Sequence, residues 1–159
     1  MDSFSDIIFH QRIQRFRDDT RDSMTSNYVN ENYLHSDITA RIIAAAQRVH
    51  AELGPGFREV IYQRALALEL MAEGLDYSRE VWIDVHYRDQ VIGKQRVDFF
   101  IEEVMVEIKA RSELLEQDFV QTLSYLKASG FKVALLLNFG AKQLGIRRLV
   151  HNAEMLNNR

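Results

Sequence analysis

The chain has no cysteine. That excludes a disulfide scaffold, an iron–sulfur centre and a thiolate zinc site. Proline is nearly absent too: the single Pro55 sits between two helical stretches, where it does no damage. Long apolar runs are missing, and a stretch such as Val133–Leu137 is far too short to span a bilayer. No apolar segment follows the acidic start at Asp2 and Asp6, so no secretory leader is expected and a reducing cytoplasm is the default compartment. An excess of positive charge is also lacking. With 20 Lys and Arg against 23 Asp and Glu the net charge is −3, which argues against binding nucleic acid by bulk charge. Such contact must be local, through a metal or a small basic patch. What the chain does have is length and apolar content. Its 159 residues suit one domain, and 47% hydrophobic residues suffice for a core without staples.

Residues 1–36 read as an arm. Phe9, Ile13 and Phe16 recur at helical spacing and predict a short amphipathic helix near Ser3–Arg17. The polar stretch Asp18–Ser36 reads as a linker. The apolar face of the arm is most simply a dimer or domain contact, and Asp18, Asp19 and Asp22 argue against a membrane role. Residues 37–159 read as the compact domain. Ser36 or Asp37 is expected to cap a helix whose buried face is Ile38, Ile42, Ala45 and Val49. Gly54-Pro55-Gly56 breaks it, and a second helix is predicted from Phe57 to Glu73, stopped by Gly74. Period-two alternation predicts a strand over Val81–Tyr87, then Arg88-Asp89-Gln90 turns the chain. Strands are expected at Val91–Ile101 and Val104–Ala110, a helix from Ser112 to Gly130, and a doubly covered strand at Phe131–Leu137. Ile146–Val150 reads as a last edge strand and Asn152–Arg159 as a helical or frayed tail. The third and fourth strands, joined by one helix, should be parallel through a right-handed crossover.

If the second and third strands form a hairpin with its tip at Glu102-Glu103, Ile101 faces Val104 and Asp98 faces Glu107. Opposed residues have Cβ atoms about 4.5–5.5 Å apart. Glu107 and Lys109 are two apart on one strand and share a face, while Val104, Val106 and Ile108 point into a core. Two opposed carboxylates repel, so something must offset them. A divalent cation held by oxygen ligands is the simplest candidate, Lys109 alone is another, and a solvated polar face is a third reading. On the second helix Glu59, Tyr62 and Leu66 share a face, which draws Glu59 toward the sheet near a helix start that favours a carboxylate. The third helix carries Gln121 and Tyr125 one turn apart, able to hold a phosphate or the lysine, or simply an exposed edge; Val120, Leu123 and Leu126 are expected to pack.

These residues carry a family resemblance. Gly56-Phe57-Arg58-Glu59-Val60-Ile61-Tyr62 resembles the signature of the GxxExxY proteins, a branch of the PD-(D/E)xK nuclease superfamily. Asp98 followed by Glu107-Ile108-Lys109 resembles the D…ExK motif, with Val97 where proline is common. Gln121 to Tyr125 resembles QxxxY, and Leu135–Gly140 resembles the family's strand ending. The resemblance spans about residues 38–150 and implies an α/β core in the order helix, three strands, helix, strand, with the N-terminal arm as an addition. It implies Mg²⁺ or Mn²⁺ held by Asp98, Glu107, the carbonyl of Ile108 and Glu59. Lys109 would act on the attacking water, and Gln121 and Tyr125 would position the substrate.

His50 reads as a packed or capping residue, and Trp82, Asp84 and His86 as an outward face of the first strand. Lys94, Arg96, Arg111, Lys127, Arg147 and Arg148 form either a phosphate-contacting rim or scattered surface charge. The expected function is a metal-dependent nuclease acting on DNA, with RNA left open. The alternative is a nuclease-fold binding or regulatory protein without catalysis, or a homodimeric interaction module built on the arm.

Overall fold

In the computed structural model, which describes residues 33–151, the chain enters through a tight turn into helix α1, Ser36–Leu53. The expected arm helix and most of its linker, as well as the tail, lie outside the described residues. Neither Ser36 nor Asp37 caps α1, because both are already inside it. The N-cap is His35, which turns left-handed with φ 56° while its imidazole Nδ1 sits 2.9 Å from Glu103. The apolar face is as expected: Ile42, Ala45 and Val49 are buried. Helix α2 is Glu59–Glu73, two residues shorter at its start than expected. Tyr62 is the reason. Its hydroxyl donates to the Gly54 carbonyl at 2.6 Å and accepts the Phe57 N–H at 3.2 Å, which holds the bent Gly-Pro-Gly segment outside the helix. Gly74 ends the helix at φ 67°, as a C′ glycine does. Arg48 joins the two helices through Glu69 (2.7 Å) and Glu73 (2.9 Å).

A five-stranded mixed sheet follows, in spatial order β1-β2-β3-β4-β5. The strands are β1 Tyr77–Tyr87, β2 Gln90–Ile101, β3 Val104–Lys109, β4 Val133–Asn138 and β5 Gly145–Val150. Only β3 and β4 are parallel, as the crossover predicts. Their connection contains helix α3, Glu116–Ser129. It starts four residues after Ser112, because the Asp118 carboxylate accepts the Leu115 N–H at 2.9 Å and fixes Leu115 as the cap. β1 begins four residues earlier than its alternation suggested, since Tyr77, Ser78 and Arg79 pair with Ile101, Phe100 and Phe99.

The sheet is covered on both faces. On one side α1 and α2 bury Ile42, Tyr62, Leu66 and Leu70 against Val104, Val106, Ile108, Leu135 and Leu137. On the other, Leu126 of α3 meets Ile83, Val97, Met105 and Ala134. Each large apolar side chain so buried contributes roughly 1.5–3 kcal/mol. Val120 departs from expectation: it is exposed on the outer side of α3. No helix among the described residues is long and apolar enough to cross a membrane.

Candidate active site

The β2–β3 ladder pairs Ile101 with Val104, Phe100 with Met105 and Phe99 with Val106, the register read from the sequence. At Asp98 and Glu107 side chains take over from backbone. The Asp98 N–H donates to Glu107 Oε1 at 3.2 Å, and the Ile108 N–H donates to Asp98 Oδ2 at 2.8 Å. The strand is wrenched at this point. Val97 packs on the α3 side, whereas Phe99 and Ile101, of the same parity, pack against α1 and α2. Across the hairpin Glu80 has φ 54°, and Glu80 and Asp98 are missing from the ladder. That twist frees the Asp98 carboxylate to turn toward β3.

Two carboxylates therefore meet in a poorly solvated place. Burial, then the charge of Asp98, pushes the Glu107 carboxyl from its ordinary 4.5 up to about 8. Burial also raises Asp98, opposed in part by the Ile108 N–H. Glu59, half-buried at the start of α2, adds negative charge that both carboxyls feel. Sequence reasoning missed Gln63. This α2 residue is buried, and its Nε2 donates to Asp98 Oδ1 at 2.7 Å. The signal was present, since Gln63 lies one turn after Glu59 on the same helix face.

Lys109 emerges from β3 toward α3. Its Nζ lies 3.1 Å from Gln121 Oε1 and 3.9 Å from Asp118 Oδ1. Asp118, 2% exposed, was also missed; it faces Arg111 as well, at 3.4 Å. Tyr125 stands one turn beyond Gln121, which hydrogen-bonds it. Its hydroxyl pKa is raised by burial and then by the charge of Glu107.

Asn138, at the end of β4, clamps the chain beyond Lys109. Its Oδ1 accepts the N–H groups of Arg111 (2.9 Å) and Gly140 (3.2 Å), and its Nδ2 donates to the Arg111 carbonyl at 2.9 Å. The Phe139 N–H adds a bond to the Lys109 carbonyl at 2.8 Å.

The fold thus brings Asp98, Glu107, Lys109, Gln121 and Tyr125 close to one another, with Glu59 near enough for its charge to be felt at both carboxyls. The donors are hard oxygens, and a carboxyl that keeps its proton to about pH 8 is one that a dication would strip. Asp98, Glu107 and a backbone carbonyl such as that of Ile108 suit Mg²⁺ or Mn²⁺ chemically. Among the described residues no three His, Asp or Glu side chains cluster as metal ligands, so Glu59 stands apart from the pair. His50 is a packed residue, its Nε2 2.9 Å from the Ala141 carbonyl. Of the suggested cationic rim, Arg96 is felt at Asp98 and Arg111 stands on Asp118, while Arg148 is turned away toward the Leu34 carbonyl.

A family model described as the PD-(D/E)XK nuclease superfamily matches residues 36–149. No curated protein matches the chain. Among solved structures, one titled "Crystal structure of SSO0001" is similar with a TM-score of 0.47 at 14% identity, over 92% of this chain and 64% of that one. The chain therefore spans less than two thirds of that protein's length.

Proposed function

Because the chain belongs to the PD-(D/E)XK nuclease superfamily, we propose that it is a metal-dependent nuclease that hydrolyses phosphodiester bonds in DNA. The observation that supports this best is the Asp98–Glu107 pair, two carboxyls forced together with Lys109 beside them. Gly56, Glu59 and Tyr62 further suggest the GxxExxY branch. Asp98, Glu107 and the Ile108 carbonyl would hold Mg²⁺ or Mn²⁺, with Glu59 as a further acidic ligand. When bound, the cation polarises a phosphoryl oxygen and lowers the pKa of its water. Lys109 holds the attacking water and offsets charge gathering on the phosphate, steadied by Gln121. Tyr125 and Gln121 line the side on which the substrate backbone would lie. Gln63 fixes the Asp98 carboxylate so that one of its oxygens is held and the other is oriented by the Ile108 N–H.

The test is a cleavage panel of linear, circular, single-stranded and branched DNA, with RNA alongside, in Mg²⁺ and in Mn²⁺. Asp98→Ala and Lys109→Ala should each lower cleavage by about 10²–10³-fold or more, the lower figures being those for losing one preorganised hydrogen-bond donor, while circular dichroism stays native. Mn²⁺ should raise the thermal midpoint of the wild type and leave that of Glu107→Ala unmoved. Cleavage by both variants at the wild-type rate would remove the site from these residues. Nucleic-acid binding without cleavage under any condition would favour the non-catalytic alternative.

A further inference from the structure

The β1–β2 hairpin is longer than the site needs. Beyond Glu80 and Asp98 its strands pair with each other only, from Val81 and Val97 out to Tyr87 and Gln90. Ile83 and Val97 turn inward to the α3-side core. Trp82, between them, turns the other way and is 62% exposed. It is directly paired with Arg96, and the next pair on that face is Asp84 with Lys94. One exposed indole needs no explanation, but Tyr87, Val91 and Ile92 are exposed on the same hairpin, and apolar side chains gathered in this way mark a contact surface. The charges around the indole indicate what makes that contact. Arg96 lies 3.8 Å from Glu80, and Lys94 lies 3.3 Å from Asp84. Exposed pairs of this kind hold weakly, so either cation can exchange its carboxylate for a phosphate. At the hairpin tip a second exposed aromatic, Tyr87, has the Arg88 guanidinium 5.5 Å from its ring. Aromatics interleaved with cations suit a strand whose bases are free to stack, because every base has a π-face. Bases inside a duplex are already stacked and cannot lie on an indole.

The position is as telling as the composition. Arg96 precedes Asp98 by two residues on one strand, roughly 6–7 Å along it, and its charge is felt at that carboxylate. A base on Trp82 would therefore belong to a nucleotide next to the one at the carboxylate pair. We propose that Trp82, with Arg96 and Lys94, is a stacking platform for an unpaired base beside the scissile phosphate, so that the substrate is single-stranded or carries a single-stranded end. This rests on the nuclease reading for its adjacency to the chemistry, and stands apart from it as a binding surface.

Trp82 is the sole tryptophan of the chain, so its emission reports on this face alone. The full chain is titrated in chelator, without turnover, with a single-stranded oligonucleotide, a blunt duplex of equal length and the same duplex bearing an overhang. The single strand and the overhang should quench Trp82 and bind at least about tenfold tighter than the blunt duplex. Trp82→Ala, at an exposed position, should keep the native melt and lose about tenfold in affinity for the overhang, with Trp82→Phe recovering most of it. Arg96→Ala should weaken binding and lower the salt slope by about one. Unchanged emission with every substrate, or equal affinity for the blunt duplex, would overturn the platform. So would emission already blue-shifted in free protein, as a covering segment of the chain would give, or blue-shifting with protein concentration, as a second copy would give. Cleavage that survives in Trp82→Ala, with no quenching in the wild type, sinks the platform and spares the nuclease. Quenching without cleavage in Mg²⁺ or Mn²⁺ does the reverse.

Discussion

Among the described residues Glu107 is the one whose ionisation the fold shifts far from its ordinary range. Its carboxyl is raised from 4.5 to about 8, so between those values the folded chain keeps a proton that the unfolded chain has released. Stability contributed by this group is present below pH 4.5, falls as pH rises through the window and levels off above about 8. The fall is on the order of a few kcal/mol. In chelator, the thermal midpoint of the wild type should therefore drop relative to Glu107→Gln between pH 5 and 8.5. A difference constant across that range would mean the carboxyl titrates normally. That Asp98 and Glu107 lie opposite one another was legible in the sequence, because a hairpin with a two-residue tip sets the register, although the turn of the Asp98 side chain was not. Gln63 and Asp118 were not. Gln63 reaches Asp98 only because α2 lies across the sheet at one particular place, which periodicity does not encode. Asp118 reads as an ordinary first-turn acid until the fold sets Lys109 and Arg111 beside it.

At the level of elements, apolar patterning and turn residues together located the helices and strands of the described domain, and local chemistry moved their ends. α2 starts late because Tyr62 ties down the Gly-Pro-Gly segment, and α3 starts late because Asp118 caps Leu115. β1 starts early because its first residues are held by their partner strand and not by their own alternation. The twist that turns Asp98 toward β3 is likewise invisible to a period-two reading, which carries the same parity through it. The joint between β3 and β4 depends on a glycine. A Cβ on Gly140 would be driven into the Ala110 carbonyl carbon and the Arg111 backbone nitrogen, neither of which can step aside. Gly140→Ala should cost roughly 1–3 kcal/mol or more in denaturant unfolding. Asn138→Ala should cost a similar amount, about 1–3 kcal/mol, by orphaning backbone groups of Arg111 and Gly140. An unfolding midpoint unchanged in both variants would mean that the clamp is decorative.

For the molecule as a whole, the net charge of −3 sets how it can meet a polyanion. A few cations stand near the carboxylate pair, Arg96, Lys109 and Arg111 among them, and the chain carries no net positive charge to add to them. Binding should therefore respond only mildly to salt, with a logarithmic slope no steeper than about −2 to −3, in line with the number of phosphates neutralised. A slope near −6 would mean that more cations than these meet the phosphates. We propose that residues 37–159 form the catalytic unit and that residues 1–36 act as an accessory arm. The carboxylates lie before Lys109, and the groups that steady that lysine, Asp118, Gln121 and the Asn138 clamp, lie after Arg111. Between these halves runs the mostly exposed stretch 111–117. A protease nick there would sever the acidic half from the half that restrains its ammonium group. Six parallel pairs between β3 and β4 would remain to draw the fragments back together, so the chain is already divided along the line where a split, reconstitutable domain would be cut.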